Sequence, residues 1–305
     1  MDFEILFDDT VLTLFPPLEA NNFCNNKFLS MINDFEDGGW RLKKFHRFVW
    51  DNIIETALSF KEREALISDP HSALASAAQN LRLTDKLDDI SQGSELAEIF
   101  LYGLMKHHFK ALPVVPKIFY KQNVQDNAKG ADSVHIVIDE TGEFTLWFGE
   151  AKFYNSIEND RLNSITESVK NSLNTDKLRK ENSVILNVND IKELILDERI
   201  KDDIFKCLSN TNSIDNIKGK INIPILIIHE CNITSKATCI SETYKKEIID
   251  FHKERTVAYF RKNRQKLQSL FGYENIKFHL ILFPVPNKKS IIDNFVNSVS
   301  FYKEQ

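Results

Sequence analysis

Two apolar runs joined by Asp139-Glu140-Thr141-Gly142 constrain this chain more than any other feature. The stretch from Lys129 to Tyr154 reads KGADSVHIVIDETGEFTLWFGEAKFY. Both runs alternate and are rich in β-branched and aromatic residues, with turn formers between them, the pattern of a β-hairpin. Gly142 suits the left-handed position of a three-residue loop centred on Thr141. In that register Asp132 lies directly across from Glu150, at a Cβ separation of about 4.5–5.5 Å. A strand's period of two puts Glu150 and Lys152 on one face. Two carboxylates and an ammonium then converge at the open end of the hairpin, which describes a metal site with a lysine beside it. A slip of one residue would turn every side chain to the other face.

The competing reading is two surface acids near a strand end. Two details weigh against it. Glu150-Ala151-Lys152 is the only E-x-K in the chain. It also continues the face of Phe144, Leu146 and Phe148, and carboxylates at the edge of an apolar face need a compensating charge. Asp190-Ile191-Lys192, after Val184-Ile185-Leu186, looks similar but has no partner acid on a matching hairpin.

The segment SELAEIFLYGLMKHHF, 94–109, reads as a helix with an apolar stripe through Leu96, Ile99, Phe100 and Leu104. Ser94 is its expected N-cap, and Glu95 and Glu98 follow where anions suit the helix dipole. First-turn capping is the plain reading of Glu95. Glu98 sits deeper and is the preferred third metal ligand, with Glu95 as the alternative.

The order of helix with Glu, strand near 114–120, strand opening on Asp, strand closing on E-x-K, then helix 155–180 resembles the PD-(D/E)xK nuclease superfamily. Within it the chain is similar to the nuclease subunit of the Hachiman anti-phage defence system, the HamA family. That likeness rests on Gly93 to Glu98, on Gly130-Ala131-Asp132 and on Gly149-Glu150-Ala151-Lys152-Phe153-Tyr154, and is best over residues 90–180. Ala131 stands where the superfamily usually has proline. The resemblance implies a mixed α/β core, a central sheet flanked by helices. It further implies that Asp132, Glu150, Glu98 and the Ala151 carbonyl hold one or two Mg²⁺ ions, with Mn²⁺ as a substitute. Lys152 would position or activate the attacking water or neutralise the scissile phosphate. A separate helicase subunit, HamB-like, would do the ATP work and restrain this effector until foreign or damaged DNA engages it.

No cysteine or histidine is needed for such a site, and the eight histidines and four cysteines show no ligand spacing. His135 reads as a packed or surface histidine. The net charge of −5 runs against a free-standing DNA binder. Local cations matter more than the total. One group is Lys170, Lys177, Arg179 and Lys180. The other is Lys253, Arg255, Arg261, Lys262, Arg264 and Lys266, on a helix expected over 241–270 with Tyr259 and Phe260 interleaved. A solvated face is the plain reading of both; Arg255, Arg261, Lys262, Arg264 and Lys266 are the candidates for nucleic-acid contact. Overall acidity suggests that another, basic protein takes hold of the DNA first.

A chain of 305 residues with 42% apolar content can bury a large core. Irregular cysteines, an acidic start without a basic n-region, and the lack of any bilayer-length apolar run lead to the expectation of a cytoplasmic protein. Its Asn-, Ile-, Lys- and Phe-rich, Gly-poor composition suggests a bacterial source. Residues 1–90 are expected to form a helix-rich N-terminal region able to contact a partner, and 91–305 the nuclease core, with an insertion near 181–220. Short strands are expected at 3–7 and 11–15, helices within 40–67 and 72–83 and over 291–301, and central strands at 221–230 and 276–284. No phosphate-binding loop, dinucleotide fingerprint or nucleophile elbow occurs. A metal-dependent DNA endonuclease of a defence complex is the leading function. The alternatives are a sequence-specific restriction-type enzyme and a catalytically silent DNA- or partner-binding module on the same fold.

Overall fold

The computed structural model describes residues 3–82, 93–120, 130–187 and 190–305. Seven strands form one mixed sheet: β1 (Glu4–Thr10), β2 (Asn26–Ile32), β3 (Leu112–Val115), β4 (Ser133–Ile138), β5 (Phe144–Tyr154), β6 (Ile221–Glu230) and β7 (Lys277–Val285). Their order is β1-β2-β7-β6-β5-β4-β3. The four inner strands β2, β7, β6 and β5 run parallel to one another. The outer pairs are antiparallel. Parallel strands need both faces covered, and β6 is buried from Ile221 to His229.

Among the described residues, eight helices of at least ten residues cover the two faces: α1 (Leu42–Ala57), α2 (Pro70–Gln79), α3 (Ser94–His107), α4 (Asn159–Ser172), α5 (Thr175–Asn187), α6 (Glu198–Leu208), α7 (Glu242–Leu267) and α8 (Lys288–Lys303). Strand alternation sorts them. Trp147, Ala151, Phe153, Leu226, Ile228, Ile281 and Phe283 pack with α1, α2, α3 and α8. Leu146, Phe148, Tyr154, Ile225, Ile227, Leu280 and Leu282 pack with α4, α5, α6 and α7. The mixed, helix-flanked sheet is the expected fold class.

Residues 4–10 and 26–32, assigned to the N-terminal region by the sequence, lie in this same sheet. The strand expected at 11–15 is instead a short 3-10 turn at Leu12–Leu14 ahead of Pro16-Pro17. The strand expected over 114–120 is Leu112–Val115, followed by a helical turn from Lys117. Pro116 cannot donate to a ladder, and Pro113 is tolerated because β3 is an edge strand. The helix expected over 155–180 is two helices. Asn174 lies between them, and its side chain accepts from the Asp176 N–H at 2.9 Å, a local bond that restarts the helix. The region expected to be an insertion, 181–220, holds the end of α5 and all of α6, and its Ile185, Ile204 and Leu208 are core. A polar joint, expected from the sequence at 85–93, lies outside the described residues except for Gly93.

Candidate metal centre

The hairpin forms in the expected register. Ser133 pairs with Gly149 and Ile138 with Phe144. The loop closes with Gly142 at φ 85° and its N–H donating to the Asp139 carbonyl at 3.0 Å. Asp132 lies one step beyond the paired strand, and its N–H donates to the Gly149 carbonyl at 2.7 Å. Its carboxylate and that of Glu150 meet at one ammonium, Lys152 Nζ. Asp132 Oδ2 accepts from the Ala151 N–H at 3.0 Å and from Lys152 Nζ at 3.3 Å. Lys152 Nζ lies 2.6 Å from Glu150 Oε1. The same oxygen accepts a short hydrogen bond from the Ser168 hydroxyl on α4. The ammonium thus sits between the two acids.

Burial decides the electrostatics. The Glu150 side chain is 6% exposed, Asp132 16% and Lys152 29%. Burial and then the Asp132 charge raise the Glu150 pKa, against the pull of Lys152 and the Ser168 hydrogen bond. Burial alone would lower Lys152, but Asp132 and Glu150 override it and hold the ammonium above its ordinary range. Lys152 is therefore a cation at neutral pH, suited to neutralising a phosphate or orienting a water rather than to accepting a proton.

Gly149 makes this geometry possible. A Cβ there would come within 2.7 Å of Leu101 Cδ2 on α3 and would also overlap Ser133 Oγ. Only a residue without a side chain lets α3 close on the strand just before Glu150. Gly149→Ala should destabilise the chain by about 1–3 kcal/mol through overpacking. A denaturation midpoint equal to that of the unmodified chain would refute this.

The helix-borne acids are placed differently. Glu95 is buried, and both its oxygens accept from the Arg82 N–H at 2.9 and 3.1 Å. Its role is to join two backbone segments, and Gly93 rather than Ser94 is the cap residue. Glu98 is buried on α3, which covers the other face of the sheet from Glu150 and Lys152. Among the described residues, no group of three acid, histidine or cysteine side chains is poised to hold a metal ion. The structure thus brings Asp132, Glu150 and Lys152 together, with Glu95 and Glu98 on the helix that packs on the opposite face of the sheet. His135 is fully buried beside the Tyr102 ring, as a packed histidine. Asp190-Ile191-Lys192 begins a helical segment, Asp190–Leu194, and so is no strand-end motif.

The cations of α7 are largely occupied within the chain. Arg261 pairs with Glu19 at 3.2 Å, Arg264 donates to the carbonyl and Oδ1 of Asn22, Lys266 pairs with Glu167 at 3.3 Å, and Arg255 pairs with Glu254. Arg261 and Arg264 also lie over the Phe15 and Phe23 rings. Tyr259 and Phe260 are fully buried, so neither can stack on a base. Much of the cluster fastens residues 15–23 to α7.

A family profile described as HamA matches residues 8–299, nearly the whole chain. The chain belongs to the HamA family. Membership makes it a component of Hachiman anti-phage defence, and the match extends well beyond the 90–180 segment on which the sequence likeness rested. No curated protein matches the chain. Among the described residues, no helix is long and apolar enough to cross a membrane. Sequence reasoning passed over Ser168 on α4, which donates to Glu150, and Glu181 on α5, which accepts from the Ala131 N–H. Both contacts depend on how a helix docks, and neither residue falls in a motif.

Proposed function

We propose that this HamA-family chain is a Mg²⁺-dependent DNA endonuclease, the effector of a defence complex with a helicase partner. The observation that carries the reading is Lys152 Nζ seated between Asp132 and Glu150 at the open end of the hairpin. The residues suit a hard divalent cation. Two carboxylates converge there, and burial first and then the Asp132 charge raise the Glu150 pKa against the pull of one ammonium. Among the described residues, Ser168 and Lys152 both meet Glu150 at Oε1, and Oε2 makes no hydrogen bond. In a strand, a residue's N–H and C=O leave from the same edge. The Ala151 N–H meets Asp132, so its carbonyl leaves toward that acid too.

Asp132, Glu150 and the Ala151 carbonyl would hold the ion. The family likeness adds Glu98, but its place on α3 leaves the reading resting on the two hairpin acids. A bound Mg²⁺ would lower the pKa of a coordinated water and offset charge on the scissile phosphate. Lys152, already cationic, orients the water or neutralises a phosphate oxygen, and Ser168 fixes the carboxylate of Glu150. Cation contact with DNA along α7 requires exchanging surface pairs such as Arg261–Glu19, each contributing about 0–1 kcal/mol. A phosphate backbone competes well with such pairs.

The test uses purified protein, alone and with its helicase, on plasmid and genomic DNA in Mg²⁺ or EDTA. Metal-dependent degradation without a discrete fragment pattern is expected. Discrete fragments would favour a sequence-specific enzyme. Intact DNA under every condition would mean a silent module.

A further inference from the structure

Asp132 hangs from a backbone step that a second buried ion pair holds in place. Glu181 on α5 accepts the Ala131 N–H on Oε1 at 2.9 Å and takes Lys117 Nζ on Oε2 at 2.6 Å. The side chains of Lys117 and Glu181 are only 4% and 6% exposed. The next N–H along, that of Asp132, is held by Gly149. Two successive backbone donors, from different partners, therefore fix the step on which the metal acid is mounted. Gly130 completes the fit, because a Cβ at that position would overlap the Glu181 carboxylate. A buried carboxylate spends its capacity here on one ammonium and one peptide N–H, both in segments flanking the hairpin entrance. Burying such a pair is costly, and an apolar pair of similar volume often serves stability as well. What an apolar pair cannot supply is an acceptor for Ala131.

We propose that Glu181, with Lys117 as its charge partner, is a positioning residue that aims Asp132 at the cation. The inference rests on the metal reading of Asp132 and adds a residue to it. Outer-layer partners of metal ligands typically contribute 10–100-fold to metal affinity.

The test compares the unmodified chain with Asp132→Ala and with two double variants that both remove the buried charges. Lys117→Met with Glu181→Gln keeps an acceptor for Ala131. Lys117→Met with Glu181→Leu does not. Mn²⁺ affinity is measured by calorimetry, and amide exchange is followed in the peptide beginning at Gly130. The Gln variant should bind Mn²⁺ within about threefold of the unmodified chain. The Leu variant, with its cooperative unfolding intact, should bind about 10–100-fold more weakly and lose exchange protection at residues 130–133. Unchanged affinity and protection in the folded Leu variant would overturn the positioning role. Should the Leu variant not fold, equal losses in the Gln variant would overturn it as well, since that variant keeps the acceptor. Mn²⁺ binding that is absent in the unmodified chain, or indifferent to Asp132→Ala, would overturn the metal reading itself, and the exchange result would still decide the clamp.

Discussion

Glu150→Gln should abolish metal-dependent cleavage, by at least about 10²–10³-fold, while leaving the chain as stable as before or slightly more so. The site holds two acids and one ammonium, a net charge of −1. Burial and the neighbouring Asp132 already work against ionising Glu150. Replacing it with the neutral isostere keeps an acceptor for Ser168 and removes that repulsion. Lys152→Met should abolish cleavage equally but act on stability with the opposite sign. It leaves two buried acids facing each other without a cation, and breaking one partner out of a buried pair costs about 3–5 kcal/mol, or roughly 2–4 here because Lys152 is partly exposed.

Metal should separate the two further. A divalent ion that binds only the folded state stabilises it by mass action. Mg²⁺ should therefore raise the thermal midpoint of Lys152→Met more than that of the unmodified chain, and barely move that of Glu150→Gln. The measurement is the unfolding midpoint of the three proteins with and without Mg²⁺. Equal destabilisation of both variants, insensitive to metal, would mean the triad is structural.

Much of this was legible because it is local. The register of the hairpin follows from Gly142 and alternation, and it brings Asp132 to the end of the strand that carries Glu150 and Lys152. The double-faced burial of β6 could be read from INIPILIIHE. Glu98 could not be placed, because its helical phase says that it is buried but not which face of the sheet its helix covers. Ser168 and Glu181 escaped for a related reason: each acts across a docked helix, 18 and 50 residues from its partner. The α7 cations looked like a nucleic-acid stripe because their partners Glu19 and Asn22 lie 242 residues away. Tyr259 and Phe260 illustrate the same limit, since interleaving with cations in sequence does not reveal that they point inward.

Lowering the pH from 7.5 to 5.5 should cost this fold about 7 kcal/mol, enough to unfold a domain of ordinary stability. The cause is five buried histidines. Burial lowers His135 and His279 to about 3 and His46 and His229 to about 4. His252 is lowered by burial and then by His229. Two of them, His229 and His252, are held neutral by identifiable bonds. His229 Nδ1 faces the Glu230 carbonyl at 3.2 Å, which can only accept, so Nδ1 carries the proton and Nε2 accepts. His252 Nε2, 3.0 Å away, must then donate, and its Nδ1 accepts from the Ser30 hydroxyl at 2.8 Å. The chain ties β2, α7 and β6 together, and a proton on either ring breaks its direction. His279 meets Asn222 Oδ1 at 2.9 Å. Among the described residues, neither ring nitrogen of His135 or His46 has a hydrogen-bond partner.

The sign follows from these directions. The unfolded chain binds protons at each histidine below about pH 6.5, whereas the folded chain refuses them until about 3–4 at His135, His279, His46 and His229 and holds His252 well below its ordinary range. Stability is full above 6.5 and falls as pH drops, by about 1.4 kcal/mol per unit for each histidine. Glu150, whose pKa is raised, binds its proton more readily in the folded state and offsets part of the loss near the lower end. Urea midpoints at pH 7.5, 6.5 and 5.5 measure the slope. His135→Phe should reduce it by about one proton's worth while leaving stability at pH 7.5 unchanged or higher, since it removes a buried ring with two unpaired nitrogens. A flat profile across that range would mean that these rings take up protons in the folded state, and the directed Ser30–His252–His229 chain would then be wrong.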